Sequence, residues 1–335
     1  MAHRVTVFGA GSWGTALAVH LGRVGHDVRV WARDPDLVAT LVARRMNDRY
    51  LPGVDLPASV VPTASLAEAL DASTCVVAAV PSHGLRAVLR EASPALPAGV
   101  PIVSAAKGLE PDTRRRMSQV ITEEVGEARP VAVLSGPSFA VELARQLPTA
   151  VLVAAADPAV CALVQEEFRS KYFRLYASDD VIGVELGGAL KNVIAIAAGV
   201  VESLGLGHNA LAGLVTRGLA EMTRVACAVG GRPETLAGLS GLGDLVLTCT
   251  GALSRNRQVG IELGKGRSLA DVLGGMTMVA EGVRTTGAAL ALGAEYGVEL
   301  PIAGQMAEVM AGRVAPLEAV ERLMLRRQRV EADSR

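Results

Sequence analysis

The sequence predicts an α/β N-terminal domain with a doubly wound sheet, over residues 1–180, followed by an all-α C-terminal domain over residues 181–335. In the first 180 residues, short apolar runs bounded by Gly or Pro alternate with longer runs of helical periodicity, which is the βαβ pattern of a mainly parallel sheet. A glycine-rich segment directly follows the first apolar run and opens the first helical one. After about Val181 the short apolar runs stop and only helical periods remain.

The predicted strands share a composition rich in Val and Ala. Because they are apolar on both faces, we expect them to be buried and parallel. They span residues 5–8, 28–31, 75–80, 102–104, 131–134 and 150–154. The helices predicted between them span residues 15–24, 35–44, 85–91 and 114–125. In the second domain the predicted helices span residues 184–204, 210–229, 255–263, 269–273, 285–296, 301–310 and 316–326.

Composition excludes several classes of function. The 335 residues include 33 Lys plus Arg against 34 Asp plus Glu, a formal net charge of -1, so neither a nucleic-acid nor a membrane partner is expected. Half the residues are hydrophobic and 20% are charged, which excludes wholesale disorder and supplies apolar surface for about two domains. Aromatic residues are only 3% of the chain, too few for a base-stacking platform.

Cysteine and histidine spacing predicts a cytoplasmic protein without a metal. The four cysteines are widely spaced and form no CxxC pair, so neither a zinc site nor a disulfide framework is indicated, and we expect reduced thiols. The five histidines show no metal spacing either. His83 is predicted to be a loop residue near a cofactor, because it follows the end of a predicted strand.

The N-terminus resembles a targeting segment in one respect, since Arg4 is followed by 18 residues without a formal charge. Gly9, Gly11 and Gly14 interrupt this stretch, however, and His20 closes it, which does not suit the apolar helical core of a signal peptide. Other uncharged stretches are shorter than the roughly 20 apolar residues that span a bilayer. We therefore expect neither a signal peptide nor a membrane span.

Residues 9–14 read Gly-Ala-Gly-Ser-Trp-Gly, between a predicted strand and a predicted helix. The GxGxxG pattern alone is weak, but this context is the one that dinucleotide binding requires. Gly9 would allow the tight turn, Gly11 the approach of a diphosphate, and Gly14 close packing of helix on strand, while the helix N-terminus would supply N–H donors. The pattern favours a Rossmann-type NAD(P) site over a simple glycine turn.

Cofactor preference depends on Arg33, which stands about 20 residues beyond the glycines, where an NAD-specific site usually has an acidic residue. A guanidinium there can pair with the 2'-phosphate of NADP. Asp34 could instead bind the ribose hydroxyls, but before Pro35 it more plausibly caps the next helix. We expect NADP to be preferred and NAD to be accepted, the alternative being that Arg33 is only a solvated surface residue.

Lysine is scarce in this sequence. Only four of the 33 basic residues are lysine, and the other 29 are arginine. Because only an amine can lose its proton near neutral pH, a lysine in an apolar context is a candidate for chemistry. Lys171 and Lys265 stand in polar stretches, where a solvated charge is the simpler interpretation; the candidates are Lys107 and Lys191.

Six motifs occur in a fixed order along nearly the whole chain. They are residues 9–14, 106–109 (Ala-Lys-Gly-Leu), 135–140 (Ser-Gly-Pro-Ser-Phe-Ala), 190–192 (Leu-Lys-Asn), 241–245 (Gly-Leu-Gly-Asp-Leu) and 254–256 (Ser-Arg-Asn). In this order they resemble bacterial NAD(P)-dependent glycerol-3-phosphate dehydrogenases, over residues 5 to about 325. That family combines a Rossmann domain with a helical domain, as predicted above.

The resemblance implies reversible reduction of dihydroxyacetone phosphate to sn-glycerol 3-phosphate, a precursor of phospholipids. Lys191 would be the proton donor or acceptor, with Lys107 and Asp244 beside it. The implied cofactor contacts are Gly9, Gly11, Ser12, Trp13, Gly14, Arg33, Lys107, Ala140, Arg255, Val279 and Glu281. The implied substrate contacts are Lys107, Gly136, Ser138, Lys191, Asn192, Asp244, Ser254, Arg255 and Asn256.

The residues around Lys191 agree with that role. Gly187, Gly188, Ala195 and Ala198 share its helical face, so no side chain is expected to block a ligand, and burial beside a second cation would lower the pKa of the amine. The same small residues could instead mark close helix packing, with Lys191 reaching outward. The helix alone does not decide; the scarcity of lysine and the adjacent Asn favour catalysis.

Two further candidates have structural alternatives. Asp244 is predicted to lie in a Gly-rich turn, where it could accept hydrogen bonds from substrate or orient an ammonium, or simply serve the turn. Ser254 is predicted to cap a helix whose free N–H groups, with Arg255, would bind a phosphate dianion. Capping accounts for Ser254 but not for Arg255 and Asn256, which are expected to be unpaired. Ser138 is expected at the ligand-facing edge of the sheet.

Two other functions fit part of this pattern. A dehydrogenase of a β-hydroxy acid or of ketopantoate shares the two-domain plan, but its carboxylate substrate would not need a phosphate site at residues 254–256. An NADP-sensing regulator would bind cofactor without turnover. The expected partner is a small phosphorylated substrate, and a homodimer is one of the assembly states that the sequence allows.

Overall fold

The computed structural model describes residues 3–276, 278–328 and 330–331. The chain divides into two units. The first contains the described residues up to Ala106 together with Met117–Val181, and the second contains Lys107–Arg116 together with the described residues from Ile182 onward. The segment Lys107–Arg116 therefore groups with the helical unit, whereas the sequence analysis counted it in the first domain.

The first unit alternates strands and helices. In chain order they are β1 Arg4–Phe8, α1 Ser12–Arg23, β2 Asp27–Trp31, α2 Pro35–Arg44, β3 Met46–Asn47, β4 Leu51–Asp55, β5 Val60–Thr63, α3 Leu66–Leu70, β6 Cys75–Ala78, α4 Ser82–Ala92, β7 Ile102–Ser104, α5 Met117–Val125, β8 Val131–Ser135, α6 Ala140–Ala144, β9 Thr149–Ala155, α7 Pro158–Phe168 and β10 Phe173–Ser178. The predicted α/β alternation is confirmed.

Eight strands form one sheet in the order β10-β9-β8-β7-β6-β1-β2-β5, while β3 and β4 pair separately. The neighbours from β8 to β5 run parallel, as predicted. For residues 150–154 the prediction is wrong on one side of the strand, because β9 runs parallel to β10 but antiparallel to β8, with Leu134 opposite Val153. An apolar run indicates that a strand is buried on both faces, but it does not indicate the direction of the strand. The direction of β9 follows from its short connection to β8 through α6.

Both faces of this sheet are covered. Alternate residues of β1 face opposite sides, so that Val7 packs in a core with α1 and α7, while Phe8 packs in a second core with α4 and α5 and contacts the Trp31 ring edge-on. This explains why the central strands lack the apolar-polar alternation of a half-exposed sheet. The predicted helix at 114–125 begins only at Met117, because Arg114 has a left-handed backbone with φ of 60°.

Apart from the segment Lys107–Arg116, the described residues of the second unit form helices joined by short connections, as predicted. Its elements are α8 Val181–Ser203, α9 Gly207–Ala228, α10 Pro233–Ala237, a π-helical turn Leu239–Gly243, α11 Asp244–Thr250, α12 Arg255–Gly264, α13 Leu269–Gly274, α14 Glu281–Glu295, α15 Pro301–Met310 and α16 Pro316–Met324. The sequence analysis did not predict α10, the π-helical turn or α11.

The long helix α8 is the centre of this unit. It is apolar and long enough to cross a membrane, but 89% of its most apolar window is buried inside the protein, which is the pattern of a core helix. It packs closely on α12, because a Cβ at Gly199 would collide with the carbonyl of Arg257, and a Cβ at Gly260 with the carbonyl of Ile196. This close packing fixes the side chains that α8 presents to its neighbours.

Candidate active site

The glycine-rich loop between β1 and α1 has the geometry of a diphosphate cradle. Gly9 has φ of 104°, a left-handed conformation that favours glycine, and a Cβ at Gly14 would collide with the carbonyl of Gly9. A Cβ at Gly11, in contrast, would meet no atom within 4 Å, so the loop is open on that side. Gly11 also brings no side chain to cap the first turn of α1. These residues fit a dinucleotide cofactor.

Asn47 fixes the shape of this loop. Its Nδ2 atom donates to the carbonyl of Ala10 at 2.9 Å and to Oγ1 of Thr15 at 2.7 Å, and its side chain is buried. Ser12 and Trp13 form the start of α1, and Trp13 Nε1 is buried without a hydrogen-bond partner among the described residues. The loop is therefore preorganised by the first unit itself.

The segment after β2 contains Arg33 and Asp34, whose side chains have different surroundings. Oδ1 of Asp34 accepts from the backbone N–H groups of Asp36 and Leu37, at 3.1 and 3.3 Å, so the predicted helix cap is confirmed. Arg33 is exposed. The other oxygen of Asp34, Oδ2, lies 3.5 Å from Nη1 of Arg49, so both carboxylate oxygens have contacts within the first unit.

Three predicted site residues follow β8 in the same unit. Gly136 has φ of 119°, and Ser138 Oγ donates to the carbonyl of Gly136 at 2.8 Å, which tightens the turn after the strand. Ala140 is the first residue of α6. The prediction for His83 is wrong in one respect: it lies in the first turn of α4, not in a loop.

In the second unit, α8 and α11 bring Lys191 and Asp244 together. Lys191 Nζ lies 2.7 Å from Oδ1 of Asp244 and 2.8 Å from Oγ1 of Thr248, and only 6% of the lysine is exposed. Thr248 Oγ1 donates to the backbone carbonyl of Asp244 at 2.6 Å, so its lone pairs are directed to the amine. Lys191 is thus buried and held by two acceptors, and it does not reach outward.

Lys107 pairs with the other oxygen of the same carboxylate. Its Nζ atom lies 2.8 Å from Oδ2 of Asp244, whose side chain is 1% exposed. When both amines are protonated, one carboxylate faces two cations, and the cluster carries an excess positive charge. Such a cluster can stabilise negative charge that develops on a bound molecule.

This environment lowers the pKa of Lys191 to about 8. Burial is the largest cause, because it disfavours the charged amine, and Lys107 acts in the same direction. Asp244 opposes both through its charge and its hydrogen bond. The amine therefore gains and loses its proton close to neutral pH, which general acid–base catalysis requires.

A chain of two amides connects Lys107 to the start of α14. Asn192 Nδ2 donates to the carbonyl of Lys107 at 3.1 Å and to that of Gly188 at 3.4 Å. Asn256 Nδ2 donates to Oδ1 of Asn192 at 2.9 Å, and Asn256 Oδ1 accepts from the N–H of Gly282 at 2.9 Å. Because backbone groups fix both ends, both amide orientations are determined.

The start of α12 agrees with the sequence prediction in one residue of three. Ser254 Oγ accepts from the N–H of Arg257 at 3.2 Å, so the predicted helix cap is confirmed. Arg255 is exposed and donates through Nη1 to the carbonyl of Val279 at 3.0 Å, close to Glu281 at the start of α14. Arg255 and Asn256 were expected to be unpaired, and both have partners inside the unit.

Two other expectations need correction. Asp244 does not lie in a turn but is the first residue of α11, directly after the π-helical turn. Gly187 does not leave room for a ligand, because a Cβ there would collide with the carbonyl of Ser240, so this glycine serves helix packing. Thr248 was not predicted from the sequence, although its position four residues after Asp244 would place both on one face of a helix.

Comparison with known proteins decides the family. The family described as NAD-dependent glycerol-3-phosphate dehydrogenase matches with its N-terminal part over residues 4–161 and with its C-terminal part over residues 180–321. The chain belongs to the NAD-dependent glycerol-3-phosphate dehydrogenase family. The resemblance drawn from the six sequence motifs is thereby confirmed.

Relatives within this glycerol-3-phosphate dehydrogenase family are similar over most of their length. The glycerol-3-phosphate dehydrogenase [NAD(P)+] of Koribacter versatilis is 55% identical over 274 residues, 81% of each chain. That of Geobacter sulfurreducens is 54% identical over 278 residues, 82% of each chain. The crystal structure of glycerol-3-phosphate dehydrogenase from Coxiella burnetii superposes with a TM-score of 0.94 at 40% identity, covering 97% of this chain and 99% of that one.

Proposed function

We propose that this member of the glycerol-3-phosphate dehydrogenase family catalyses the reversible, NAD(P)H-dependent reduction of dihydroxyacetone phosphate to sn-glycerol 3-phosphate. The observation that carries the proposal is the buried Asp244 carboxylate between the amines of Lys191 and Lys107. Two relatives that are more than half identical are named as dehydrogenases of glycerol 3-phosphate, the product of this reduction, with NAD(P)+ as cofactor. The substrate is a small phosphorylated molecule.

In the reductive direction, a bound nicotinamide cofactor would provide the hydride for carbon C2 of the ketone. The protein then has to neutralise the oxygen that becomes an alkoxide. Lys191 donates a proton to this oxygen, and Lys107 stabilises the negative charge while it develops. Asp244 orients both amines and keeps Lys191 charged in spite of its burial. In the oxidative direction, neutral Lys191 accepts the proton from the C2 hydroxyl.

Cofactor binding is assigned first to the loop of the first unit. Gly9, Gly11 and Gly14 hold the diphosphate against the N-terminus of α1, and Arg33 pairs with the 2'-phosphate of NADP, which makes NADP the preferred cofactor. The other cofactor contacts that we propose are Ser12, Trp13, Lys107, Ala140, Arg255, Val279 and Glu281.

The substrate phosphate is assigned to the start of α12. Ser254 leaves the first N–H groups of this helix to a ligand, and Arg255 adds a charge-assisted donor. Among the described residues, Asn256 finds an acceptor for only one of its two amide hydrogens, whereas Asn192 uses both. We therefore infer that Asn256 donates to the substrate and that Asn192 orients it. Gly136 and Ser138 complete the proposed substrate contacts.

The cellular role follows from the product. sn-Glycerol 3-phosphate is the backbone from which glycerophospholipids are made, so we infer a role in lipid supply in the cytoplasm. Free thiols support this compartment, because Cys75, Cys161 and Cys249 form no disulfide among the described residues and disulfides are rare there. The homodimer stays a prediction from the sequence.

One assay separates this function from its alternatives. Purified protein is incubated with NADPH and a panel of ketones with and without a phosphate, among them dihydroxyacetone phosphate, dihydroxyacetone and ketopantoate, and NADPH oxidation is followed. Turnover confined to the phosphorylated ketone supports the proposal. Turnover of ketopantoate alone would show a dehydrogenase of carboxylate substrates, and cofactor binding without any turnover would show a sensor.

A further inference from the structure

The segment that carries Lys107 is a closed loop in the helical unit. Leu109 and Arg116 form an antiparallel bridge, and the N–H of Glu110 donates to the carbonyl of Arg115 at 2.9 Å. The side chain of Leu109 is 1% exposed and belongs to the core of the second unit. These contacts make residues 107–116 a single element whose two ends move together.

Both ends of this loop are bound to the same helix. At its start, Asn192 of α8 donates to the carbonyl of Lys107 at 3.1 Å. At its end, Arg116 Nη1 lies 2.5 Å from Oε2 of Glu185, also on α8. Glu185 and Asn192 are seven residues apart, two helical turns, and so share one face of α8 about 10 Å from each other.

The pair of Arg116 and Glu185 is nearly excluded from solvent. The two side chains are 15% and 3% exposed, in contrast to ion pairs of the surface such as Arg313 with Glu308. Removing one partner of a buried pair leaves a charge with less compensation in a poorly hydrated place, which is more damaging than the loss of a surface pair. A buried ion pair is therefore suited to hold the loop of residues 107–116 firmly against α8.

We propose that the ion pair of Arg116 and Glu185 is a positioning element that holds Lys107 against Asp244. The expected effect on catalysis rests on the proposed function. The positioning of Lys107 by the ion pair does not, because it is a property of the helical unit. α8 carries the proton-transfer lysine and both anchors of the loop, so one rigid helix sets the distance between the two amines. Without the ion pair, the loop loses this bond at its Arg116 end, and the amine of Lys107 is held less firmly against Asp244.

The scarcity of lysine provides a direct test. The chain has only four lysines, so acylation by an amine-reactive reagent can be followed at each one by mass spectrometry of peptides. Lys171 and Lys265 serve as internal references, because both are exposed. The variants are Arg116→Met and Glu185→Gln, with Arg313→Met as the matched control that breaks an exposed ion pair of the same unit.

We expect the acylation rate of Lys107 to rise roughly tenfold in both variants, as for a segment that opens locally, with no change at the references or in the control. In the kinetic assay, kcat/KM for dihydroxyacetone phosphate should fall by about one to two orders of magnitude. The alkaline limb of the reductive pH profile should move to higher pH, because Lys107 would no longer lower the pKa of Lys191. Arg116→Lys, which keeps the charge, should restore part of each effect.

Unchanged acylation of Lys107 in either folded variant would overturn the proposal, whatever happens to activity. So would a loss of activity with an unmoved pH limb, because that is the result of a general structural defect. Glu185→Gln keeps the size of the side chain and provides the test if Arg116→Met does not fold. If the wild-type protein reduces no phosphorylated ketone, the proposed function fails, but the acylation rates still test the anchor.

Discussion

Lys191 and Asp244 are separated by 53 residues in the chain, yet their side chains meet at 2.7 Å inside the helical unit. Neither group could be buried alone at low cost, since an isolated ion in the interior loses its hydration. The pair, together with Lys107, makes a buried amine whose protonation is set by its neighbours.

The pH dependence of the reaction should report Lys191. Its pKa is lowered to about 8, so the reductive rate, which needs the ammonium, should fall as the pH rises through this value. The oxidative rate, which needs the neutral amine, should rise over the same range. Measuring kcat for both directions between about pH 6 and 10 checks this. Profiles that change in the same direction would exclude Lys191 as the proton-transfer group.

Replacing Lys191 should separate chemistry from binding. Lys191→Met keeps length and apolar bulk but removes the proton, so kcat should fall by roughly two to four orders of magnitude while NADPH still binds. Lys191→Arg should be severely impaired too, because a guanidinium does not release its proton near neutral pH. Fluorescence titration with NADPH controls for folding, and near-normal turnover of the Met variant would end the assignment.

Arg33 should discriminate between the two cofactors. If it pairs with the 2'-phosphate, Arg33→Ala should raise KM for NADPH and leave the kinetics with NADH nearly unchanged. Steady-state kinetics with both cofactors test this, and Arg44→Ala, at an exposed arginine at the end of α2, is a suitable control. Equal losses with NADPH and NADH would show that Arg33 only supports the fold.

Arg255 should act through the phosphate of the substrate. Its loss in Arg255→Ala should lower kcat/KM for dihydroxyacetone phosphate by roughly two to three orders of magnitude, as for a charge-assisted contact to a phosphate dianion. Dihydroxyacetone lacks the phosphate and should be a very poor substrate, on which the same substitution has much less effect. Equal losses on the two ketones would assign Arg255 to cofactor or structure, in keeping with its bond to Val279.

Glu221 should make the stability of the protein depend on pH. This carboxylate of α9 accepts from the N–H groups of Ile302 and Ala303 at the start of α15, at 2.9 and 3.0 Å, and burial raises its pKa to about 7. Between its ordinary value near 4.5 and 7, the folded state binds more protons than the unfolded state, so the free energy of unfolding should fall as the pH rises. Urea unfolding across this window should show a flatter dependence in Glu221→Gln.

Glu318→Gln removes an exposed carboxylate of α16 and serves as the control for that experiment. It should leave the pH dependence of unfolding as in the wild type, because surface ion pairs contribute little. An identical slope in wild type and Glu221→Gln would show that Glu221 is not the group responsible.

The sequence predicted elements best where burial determined the pattern. The central strands are apolar on both faces and were found, but β5 contains Pro62 and β10 alternates with exposed residues. Both are edge strands of the sheet, where these features are tolerated, and neither has the doubly apolar run used to find the others. The helix α11 was missed because the glycines before Asp244 resemble a turn.

The sequence predicted which residues belong to the site, but it did not predict how their side chains contact one another. Lys191 and Lys107 stood out because the chain otherwise uses arginine, and Asp244 because it follows glycines. The Asp244 carboxylate binds both amines because of the way α8, α11 and the loop of Lys107 pack. The spacing of residues along the sequence does not reveal this packing. Likewise, Asn192 and Asn256 bind each other, so two residues expected to face a ligand are partly committed to the interior.

The number of residues in the π-helical turn Leu239–Gly243 determines how the side chains of α11 are oriented in the site. Each residue of an α-helix turns the side chains by about 100°, and a π-helical turn contains one residue more than an α-helical one. Without that residue, α11 would be rotated relative to α8, and Asp244 and Thr248 would both point away from Lys191. The direction of these two side chains thus depends on the number of residues in the turn. A one-residue deletion here would abolish the arrangement of the site, although every reactive side chain would remain in the sequence.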